Sequence, residues 1–490
     1  MKWGTLPRME TRRIDAWRLE LPRTGAMRTS ARLYLHERMT VENEALEQLR
    51  DAASIDEDSV VLATPDIHTG FGVPIGSVLA FDNLVCPAAV GYDINCGMRL
   101  MLTPLAAAEA PVECLAEGIR RNLPLGAGKR NPDLVLDRRQ LWRVLEDGAV
   151  GLAEVARRDH GIGHLLDPEE IERDLPRIED CGGLAGDPAV LSERALERGA
   201  AQLGTLGGGN HFVELQRVDE VRDPHAARAL GLAEGQLVVM IHTGSRGLGH
   251  QVADEHMRLA TAVAKRSGLP VPNRDLACMP ADTAEGTAYL HAMRAAANFA
   301  YANRQAIVAA VRRAFARELG RPLGLSLVYD VSHNIAKVED HGGRRLHVHR
   351  KGATRAFPPA RMPPGELARI GQPVLIPGSM GTASYVLLGA DGAAETLFSV
   401  NHGAGRVMSR TAAAGKVRRR DGRLLRAGAI TDRRFAESMS GVHLLCENRS
   451  TIKEEAPDAY KDIDLVIETV VGAGLARVVA RMRPLAVLKG

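Results

Sequence analysis

An aspartate and a cysteine lie three residues apart in the glycine-flanked segment 91–99, GYDINCGMR. The side chains of Asp93 and Cys96 repel each other when both are ionised, and a bound cation removes that conflict. A carboxylate oxygen and a thiolate sulfur together indicate a metal site that combines hard and soft ligands. Its nitrogen ligands must come from other parts of the chain.

Four histidines lie beside glycine-rich or small residues at the boundaries of predicted strands. They are His211, His242, His333 and His402. A single histidine at a strand end is usually a partly buried structural residue. Four of them, together with Asp93 and Cys96, favour a metal or catalytic site, because strand ends hold side chains rigidly beside a cleft. Two metals could share the thiolate, and the ligand types do not select one metal.

His402 lies in the motif NHGAGRVMSR, which also contains Arg406 and Arg410. These arginines are four residues apart and would share one face of a helix with the helix start. Two guanidinium groups and free backbone N–H groups form a cradle suited to phosphate. A histidine at its edge could attack phosphorus as a nucleophile. The alternative interpretation is a capped helix with two surface arginines.

Three further segments have the composition of ligand-binding loops. The glycines of 207–210, GGGN, permit close approach of a ligand to the backbone, and Glu214 follows four residues after Asn210. The segment 376–381, IPGSMG, offers similar turns and a hydroxyl group. Asp66 and His68, in PDIHTGFGVPIGS, either orient metal ligands or belong to a turn. The P-loop motif is absent from the sequence.

Strands and helices must bring these distant residues together, and hydrophobic periodicity predicts where they lie. Helices are expected over 40–53, most of 105–200, 281–319 and 463–472, and strands over parts of 60–99, 237–241, 325–329 and 344–402. The strand and helix blocks do not alternate regularly. The pattern therefore predicts an α+β fold with central β-sheets flanked by helices, not a doubly wound sheet. A chain of 490 residues allows one large domain or about two to three.

The net charge of +3 is too small to indicate a nucleic-acid partner by itself. Two basic clusters are either solvated surface or a footprint for phosphate groups: residues 416–426, KVRRRDGRLLR, and the group Arg350, Lys351 and Arg355. The six cysteines include no C-x-x-C pair, which argues against a zinc ribbon and a dense disulfide framework. The N-terminal segment lacks an apolar signal core and no apolar run is long enough for a membrane helix, so we expect a reduced, cytoplasmic protein.

Taken together, the ordered motifs resemble the RtcB family of RNA ligases over nearly the whole chain. They include PDIHTGFGVPIG, VGYDINCGMR, QLGTLGGGNHFVE, IHTGSRGLG, SHN, HRKGATRAFPP, IPGSMGTASY, NHGAGRVMSR, EEAPDAYKDID and the final Lys489 and Gly490. The length is similar to that of the long archaeal and metazoan type. The resemblance implies an RtcB-like fold, with residues 1–490 forming one ligase domain.

The resemblance also implies an activity. The family joins an RNA 3′-phosphate or 2′,3′-cyclic phosphate to a 5′-hydroxyl, with GTP and Mn²⁺, in tRNA splicing or RNA repair. One manganese ion would be held by Asp93, Cys96 and His211. The second would be held by Cys96, His242 and His333, with the thiolate as a bridge. His402 would attack the α-phosphorus of GTP and carry GMP covalently.

Further roles follow from the same resemblance. Asp66 would assist proton transfer or processing of the terminal phosphate. The residues expected to bind guanosine are Asn210, Glu214, Pro377, Ser379, Ser384, Ala404, Gly405, Tyr460 and Lys489. Those expected to bind RNA phosphate are Arg246, Arg406 and Arg410. The protein is expected to be a monomer, and a helper such as archease is plausible for repeated turnover.

Two other functions remain compatible with the residues alone. A metal-dependent phosphohydrolase or cyclic phosphodiesterase acting on RNA ends would use the same ligands without a nucleotide. An RNA-binding subunit would use them as a structural metal site. A requirement for GTP distinguishes the ligase from the first, and turnover distinguishes it from the second.

Overall fold

Two large β-sheets organise the protein, and helices cover them. The computed structural model describes residues 10–417, 424–449 and 451–490, with the side chains of residues 417 and 424 left out. Part of the basic stretch predicted at 416–426 and the first nine residues therefore lie outside the described residues. The mixture of helices and sheets confirms the predicted α+β class.

The strands are, in chain order, β1 (Arg12–Arg13), β2 (Arg18–Leu21), β3 (Ala31–Tyr34), β4 (Val60–His68), β5 (Ile75–Phe81), β6 (Leu84–Val85), β7 (Gly97–Ala106), β8 (Phe212–Val221), β9 (Gln236–Thr243), β10 (Met279–Pro280), β11 (Ser326–Ser332), β12 (Asn334–His341), β13 (Arg344–Lys351), β14 (Ala353–Arg355), β15 (Pro373–Ile376), β16 (Ser384–Gly389), β17 (Ser399–Asn401), β18 (Gly415–Val417), β19 (Leu424–Ala427), β20 (His443–Cys446) and β21 (Ala476–Lys489).

The α-helices are, in chain order, α1 (Asn43–Ala52), α2 (Val112–Asn122), α3 (Arg138–Asp147), α4 (Ala149–Arg158), α5 (His160–Gly163), α6 (Pro168–Asp174), α7 (Glu193–Ala200), α8 (Pro224–Leu230), α9 (Arg246–Arg266), α10 (Ala284–Leu319), α11 (Arg410–Ala414), α12 (Asp432–Ser438) and α13 (Ile463–Gly472). The helices predicted over 40–53, 281–319 and 463–472 correspond to α1, α10 and α13. The predicted helical region 105–200 contains α2 to α7.

The first sheet has seven strands in the order β1-β2-β3-β4-β5-β13-β12. The second has eight, in the order β11-β7-β9-β8-β21-β16-β15, with β20 pairing beside β21. Most neighbours are antiparallel, and the exceptions within these two sheets are β3 with β4 and β20 with β21. Neighbouring strands in space are often distant in sequence, so residues far apart along the chain meet at the strand ends.

The second sheet is buried on both faces, which explains the continuous apolar runs along its strands. In β9, Leu237, Val239 and Ile241 belong to the largest hydrophobic cluster, which the helices cover. The alternate residues Val238 and Met240 belong to a different cluster on the opposite face. A strand with two apolar faces gives no alternating pattern, and its length and β-branched residues are the signals that identify it.

Helix α10 is the long element that packs against the second sheet. The side chain of Thr283 accepts a hydrogen bond from Gly286 at its start, and Gly320 ends it in the left-handed conformation. Its buried residues include Asn303, Arg304 and Gln305, so this helix carries polar groups into the core. Among the described residues, no helix combines the length and the low charge required to cross a membrane.

Candidate active site

Four neighbouring strands of the second sheet bring the predicted metal ligands to one edge. The turn containing Asp93 and Cys96 leads into β7, whose Met98 pairs with His242 of β9. His242 also pairs with Phe212, the residue that follows His211. On the other side of β7, Gly97 pairs with Ser332 of β11, which places the next residue, His333, beside Cys96. Strand register therefore collects residues from across the sequence.

The potential ligand atoms form two groups that share Cys96. Cys96 Sγ lies 3.4 Å from His211 Nε2 and 3.1 Å from His242 Nε2. Asp93 Oδ2 lies 2.7 Å from His211 Nε2, and the Nε2 atoms of His242 and His333 are 3.1 Å apart. Within each group, the ligand atoms lie within 4.8 Å of one another. This spacing fits the predicted pair of ions around one sulfur.

Hydrogen bonds fix the orientation of two of these imidazole rings. His211 Nδ1 donates to the Leu206 carbonyl at 3.0 Å, and His242 Nδ1 donates to the Asn210 carbonyl at 3.1 Å. With its proton on Nδ1, the neutral His242 ring directs its Nε2 lone pair towards Cys96, and the His211 ring is held with Nε2 close to Asp93 and Cys96. The thiol sulfur, the Asp93 carboxylate and the histidine Nε2 atoms thus lie close together, with few N–H or S–H groups to bridge them. A divalent cation relieves that crowding, so the residues fit a metal.

Burial sets the protonation states of the cluster. It holds the pKa values of His242 and His333 well below their usual value, with neighbouring positive groups adding to the shift. It also raises the pKa of the Cys96 thiol, as does the Asp93 carboxylate. Burial opposes ionisation of Asp93, but the charge and hydrogen bond of His211 lower its pKa to about 2. At neutral pH the cluster therefore offers neutral imidazoles and a carboxylate, and a bound cation would deprotonate the thiol.

A buried ion-pair network supports the turn that carries these ligands. Asp330 accepts from Arg99 Nε at 2.6 Å and from Arg304 Nε at 2.8 Å, and all three side chains are fully buried. Arg304 also donates to the carbonyls of Asn95 and Thr243. The sequence analysis missed this network. The sequence contained a sign of it, since Arg304 and Asp330 are charged residues within the otherwise apolar segments that form α10 and β11.

His402 lies beside the metal ligands, directly after β17. Its ring centroid is 4.9 Å from that of His333. The Nδ1 atom lies 2.6 Å from Asp66 Oδ2, and the backbone N–H of His402 donates to the same oxygen at 3.2 Å. A proton held on Nδ1 by Asp66 leaves the Nε2 lone pair free, which is the arrangement required of a histidine nucleophile.

Asp66 is a buried residue of β4, and not part of a turn. Burial would raise the pKa of Asp66, but the hydrogen bonds and charge of His402 and a hydrogen bond from Thr64 lower it below its usual value. Its neighbour Gly405 has a φ of +74°, and a Cβ there would lie 2.3 Å from the Asp66 carbonyl oxygen. Glycine at this position therefore permits the close approach of the His402 loop to β4.

His402 and four of the predicted metal ligands, Asp93, Cys96, His242 and His333, line a cavity of about 570 Å³. Most residues predicted to bind guanosine also line it: Asn210, Pro377, Ser379, Ala404, Gly405, Tyr460 and Lys489. The cavity lining also includes His68, whose pKa burial lowers to about 4, and Lys351. Most of the predicted metal ligands, the nucleophile candidate and most of the predicted guanosine residues therefore surround one space.

Glu214 and Ser384 are not among the lining residues, although they were predicted to bind guanosine. Gln216 connects them, donating to Glu214 Oε2 at 2.6 Å and to Ser384 Oγ at 3.0 Å. All three are buried. Burial raises the pKa of Glu214 to about 8, with the Gln216 hydrogen bond acting in the opposite direction. The sequence analysis missed Gln216, which lies two residues after Glu214 on the same face of β8.

The expectation of a helix carrying both Arg406 and Arg410 is wrong. Helix α11 is short and begins at Arg410, because the Ser409 side chain accepts from the N–H of Ala412 and caps it there. Arg406 lies in an extended loop that pairs with Tyr460. The two arginines still converge, since both contact Glu455, at 3.5 Å and 3.1 Å.

The remaining basic residues also have defined positions. Arg246 begins α9 and donates from Nε to the Thr205 hydroxyl at 3.2 Å, outside the set of lining residues. Arg350 is fully buried and paired with Glu339, so the alternatives of solvated surface or phosphate footprint are both wrong for it. Arg355 is paired with Asp180 at 3.3 Å.

Comparison with known proteins decides the family. A family model described as "tRNA-splicing ligase RtcB" matches residues 48–490. The chain belongs to the RtcB family. This confirms the resemblance seen in the motifs, and every predicted site residue of this RtcB-family chain lies within the matched range.

Relatives from archaea and bacteria match most of the RtcB-family chain. A protein named "tRNA-splicing ligase RtcB" from Thermococcus kodakarensis is 44% identical, covering 98% of each chain. One with the same name from Archaeoglobus fulgidus is 41% identical, also over 98% of each. "RNA-splicing ligase RtcB" from Mycobacterium tuberculosis is 46% identical over 87% of this chain and 96% of its own.

Proposed function

We propose that this protein is a GTP- and Mn²⁺-dependent RNA ligase that joins a 3′-phosphate or 2′,3′-cyclic phosphate end to a 5′-hydroxyl end. The observation that carries the proposal is the position of His402, with Nδ1 on Asp66 and its ring 4.9 Å from that of His333. Residues 1–490 would act as one ligase domain, since β4 of the first sheet supplies Asp66 and the second sheet supplies the metal ligands.

His402 would open the reaction. Its Nε2 lone pair attacks the α-phosphorus of GTP, a phosphorus–nitrogen bond forms, and pyrophosphate leaves. The imidazole becomes cationic in this step, and the buried Asp66 carboxylate stabilises that charge through Nδ1–H. An oxygen of the RNA 3′-phosphate then takes the guanylyl group, which regenerates neutral His402. The oxygen of the 5′-hydroxyl finally attacks the activated phosphorus, its proton passes to solvent, GMP leaves and the phosphodiester forms. A 2′,3′-cyclic phosphate end would first add water and open to the 3′-phosphate before it accepts the guanylyl group.

Activation is necessary because a 3′-phosphate monoester has charged oxygens and no good leaving group. Its anhydride with GMP has one. Divalent ions held by the two ligand groups around Cys96 would neutralise phosphate charge and align the reacting oxygens. The protein supplies the fixed geometry for that alignment, through the buried Arg304–Asp330 pair beneath the ligand turn.

The lining residues of the cavity would select guanine and bind phosphate. Tyr460, Lys489 and Ser379, which line the cavity, would contact the nucleoside. Arg406 and Arg410, which also line it and both contact Glu455, would bind phosphate oxygens. Glu214 would accept hydrogen bonds from guanine N1–H and N2–H, which adenine cannot donate. Because Glu214 lies behind the lining residues, this contact requires Gln216 or its neighbours to rearrange.

Dependence on GTP tests the proposal. Purified protein with Mn²⁺ should join a 3′-phosphate RNA to a 5′-hydroxyl RNA only when GTP is added, and should leave the ends unjoined with ATP. A phosphohydrolase or cyclic phosphodiesterase would change the RNA end equally well without nucleotide. End analysis by gel after incubation with and without GTP separates the two functions, and nucleotide-independent end conversion without ligation contradicts the proposal.

The raised pKa of Glu214 predicts a pH dependence of GTP affinity. Below its pKa of about 8, Glu214 is protonated and cannot accept both guanine hydrogens. As the pH falls from about 8 to 6, the Kd for GTP should therefore rise about tenfold for each pH unit. The matched variant Glu214→Gln should bind GTP weakly with little such dependence. Titration by fluorescence or calorimetry measures this, and a flat wild-type profile argues against the role of Glu214.

A further inference from the structure

One wall of the cavity has no role in the proposed chemistry. Phe71 and Tyr92 line the same cavity as His402 and the metal ligands. Neither residue is a metal ligand, a phosphate-binding group or part of the predicted guanosine set. Aromatic residues make up only 4% of the chain, and these two lie against each other in the cavity lining without an assigned role.

The rings form a connected array. The Phe71 and Tyr92 centroids are 5.3 Å apart with an interplanar angle of 59°. Tyr92 stacks on His250 at 4.7 Å and 24°. His250 is exposed on α9, one turn after Arg246, and Phe71 is 37% exposed, among the most exposed large apolar residues described. The array therefore connects the cavity lining to the exposed His250, and Phe71 is partly accessible to solvent.

The loop that carries Phe71 is anchored, although its side chain is exposed. The Phe71 carbonyl accepts hydrogen bonds from Lys351 Nζ and from the backbone N–H of Val73. The next residue, Gly72, has a φ of +74°, and a Cβ there would lie 2.4 Å from the Asp275 carbonyl oxygen. The backbone at residue 71 is thus held in place, which limits where the exposed phenyl ring can lie. A ring on an anchored backbone is partly preorganised for contact with a ligand.

Nucleobases are the ligands that fit such a surface next to phosphate chemistry. Every base has a π-face, and single-stranded RNA is bound by stacking on aromatic side chains. The position of Phe71 also suits this role. Phe71 lies in the loop between β4 and β5, and β4 carries Asp66, which contacts His402. The RNA end that receives GMP from His402 would enter the cavity that Phe71 and His402 both line.

We propose that Phe71, braced by Tyr92 and His250, is a stacking platform for the terminal nucleobase of the RNA strand that bears the 3′-phosphate. This subsite rests on the proposed ligase function and specifies it further. It recognises an unpaired RNA end without sequence preference, because stacking does not read base edges. Phe71 contacts the substrate, whereas Tyr92 and His250 are positioning residues.

Direct RNA binding tests the platform. A short, labelled RNA with a 3′-phosphate should bind Phe71→Ala about 5- to 150-fold more weakly than wild type, measured by fluorescence anisotropy in Mn²⁺. Phe71→Tyr keeps the ring and should bind as wild type does. Val135→Ala alters an exposed apolar residue outside the cavity and should also bind normally. Thermal melting of each variant establishes that it is folded.

An RNA whose terminal nucleotide is abasic gives the sharper comparison. Wild type should lose affinity for this RNA by a similar factor, and Phe71→Ala should lose nothing further on it. The inference is overturned if Phe71→Ala binds the intact 3′-phosphate end as wild type does, or if its defect persists on abasic RNA. A defect confined to the 5′-hydroxyl strand overturns the assignment to the 3′-phosphate strand.

Failure of this inference can be distinguished from failure of the ligase proposal. If wild-type protein acquires label from GTP but Phe71→Ala binds RNA as tightly as wild type does, the stacking platform alone is contradicted. Protein that shows ring-dependent RNA affinity but no labelling from GTP in Mn²⁺ would contradict the ligase proposal and leave the stacking contact supported.

Discussion

Replacing His402 by alanine should abolish both the covalent GMP adduct and RNA joining. The Nε2 lone pair of this ring is the free one, because Asp66 holds the proton on Nδ1 at 2.6 Å. Among the described histidines that line the cavity, His402 is the one whose Nδ1 lies against a carboxylate. Wild-type protein incubated with α-labelled GTP and Mn²⁺ should retain label after denaturing electrophoresis and lose it in acid, as a phosphoramidate does. His402→Ala should retain none.

Two further variants sharpen this prediction. Asp66→Asn keeps a side chain of the same shape but removes the charge that stabilises the imidazolium, and it should slow adduct formation about 10²- to 10⁴-fold. His225→Ala makes the same substitution as His402→Ala at an exposed histidine of α8, and it should leave labelling unchanged. Wild-type labelling in His402→Ala would mean that another residue is the nucleophile, and the proposed route would be wrong.

Replacing Cys96 by serine should remove metal from both ligand groups, whereas His333→Ala should affect mainly one. Cys96 Sγ lies 3.4 Å from His211 Nε2 and 3.1 Å from His242 Nε2, between the two groups, and His333 belongs to only one of them. A serine hydroxyl does not ionise readily and bridges two ions poorly. After dialysis against Mn²⁺, we expect metal content to fall from about two ions per chain towards none in Cys96→Ser.

The same measurement in His333→Ala should give a value near one ion per chain, from the group that keeps Asp93, Cys96 and His211. Cys114→Ser is the matched control, since Cys114 is an exposed thiol on α2 remote from the ligand turn. Equal metal loss in Cys96→Ser and His333→Ala would contradict the shared thiolate. Metal analysis by mass spectrometry is independent of ligase activity, so it tests the ligand assignment by itself.

Much of the architecture was predictable because the signals are local. Helix α10 carries a continuous helical pattern between a threonine cap and a glycine stop, and the prediction over 281–319 matches Ala284–Leu319 closely. The short α11 was not predictable from spacing. The four-residue interval between Arg406 and Arg410 suggested one helical face, but the Ser409 cap starts the helix after Arg406.

The interior polar residues show a different limit. The sequence suggested that Arg350 lies on the surface or binds phosphate, yet its side chain is buried against Glu339. In the β12–β13 hairpin, the residue directly opposite Arg350 is Ile335, so strand register alone does not pair Arg350 with Glu339. Glu214 looked like a direct ligand contact, yet it lies behind the cavity lining with Gln216. A charged residue gives no local sign of the partner that will neutralise it, because that partner is chosen by packing.

The amino-acid sequence by itself determined the chemistry: a thiol, a carboxylate and imidazoles at glycine-rich strand ends, and the motifs that mark the RtcB family. Only the tertiary structure decided which atoms meet, because β7 pairs with β9 and with β11, each more than a hundred residues away along the chain, and this pairing sets their register. The shared position of Cys96, the Asp66–His402 pair and the anchored backbone of Phe71 all follow from the packing of the sheets. The residue types are the same in any conformation of the chain, but the short distances between their side chains are set only when the strands pair.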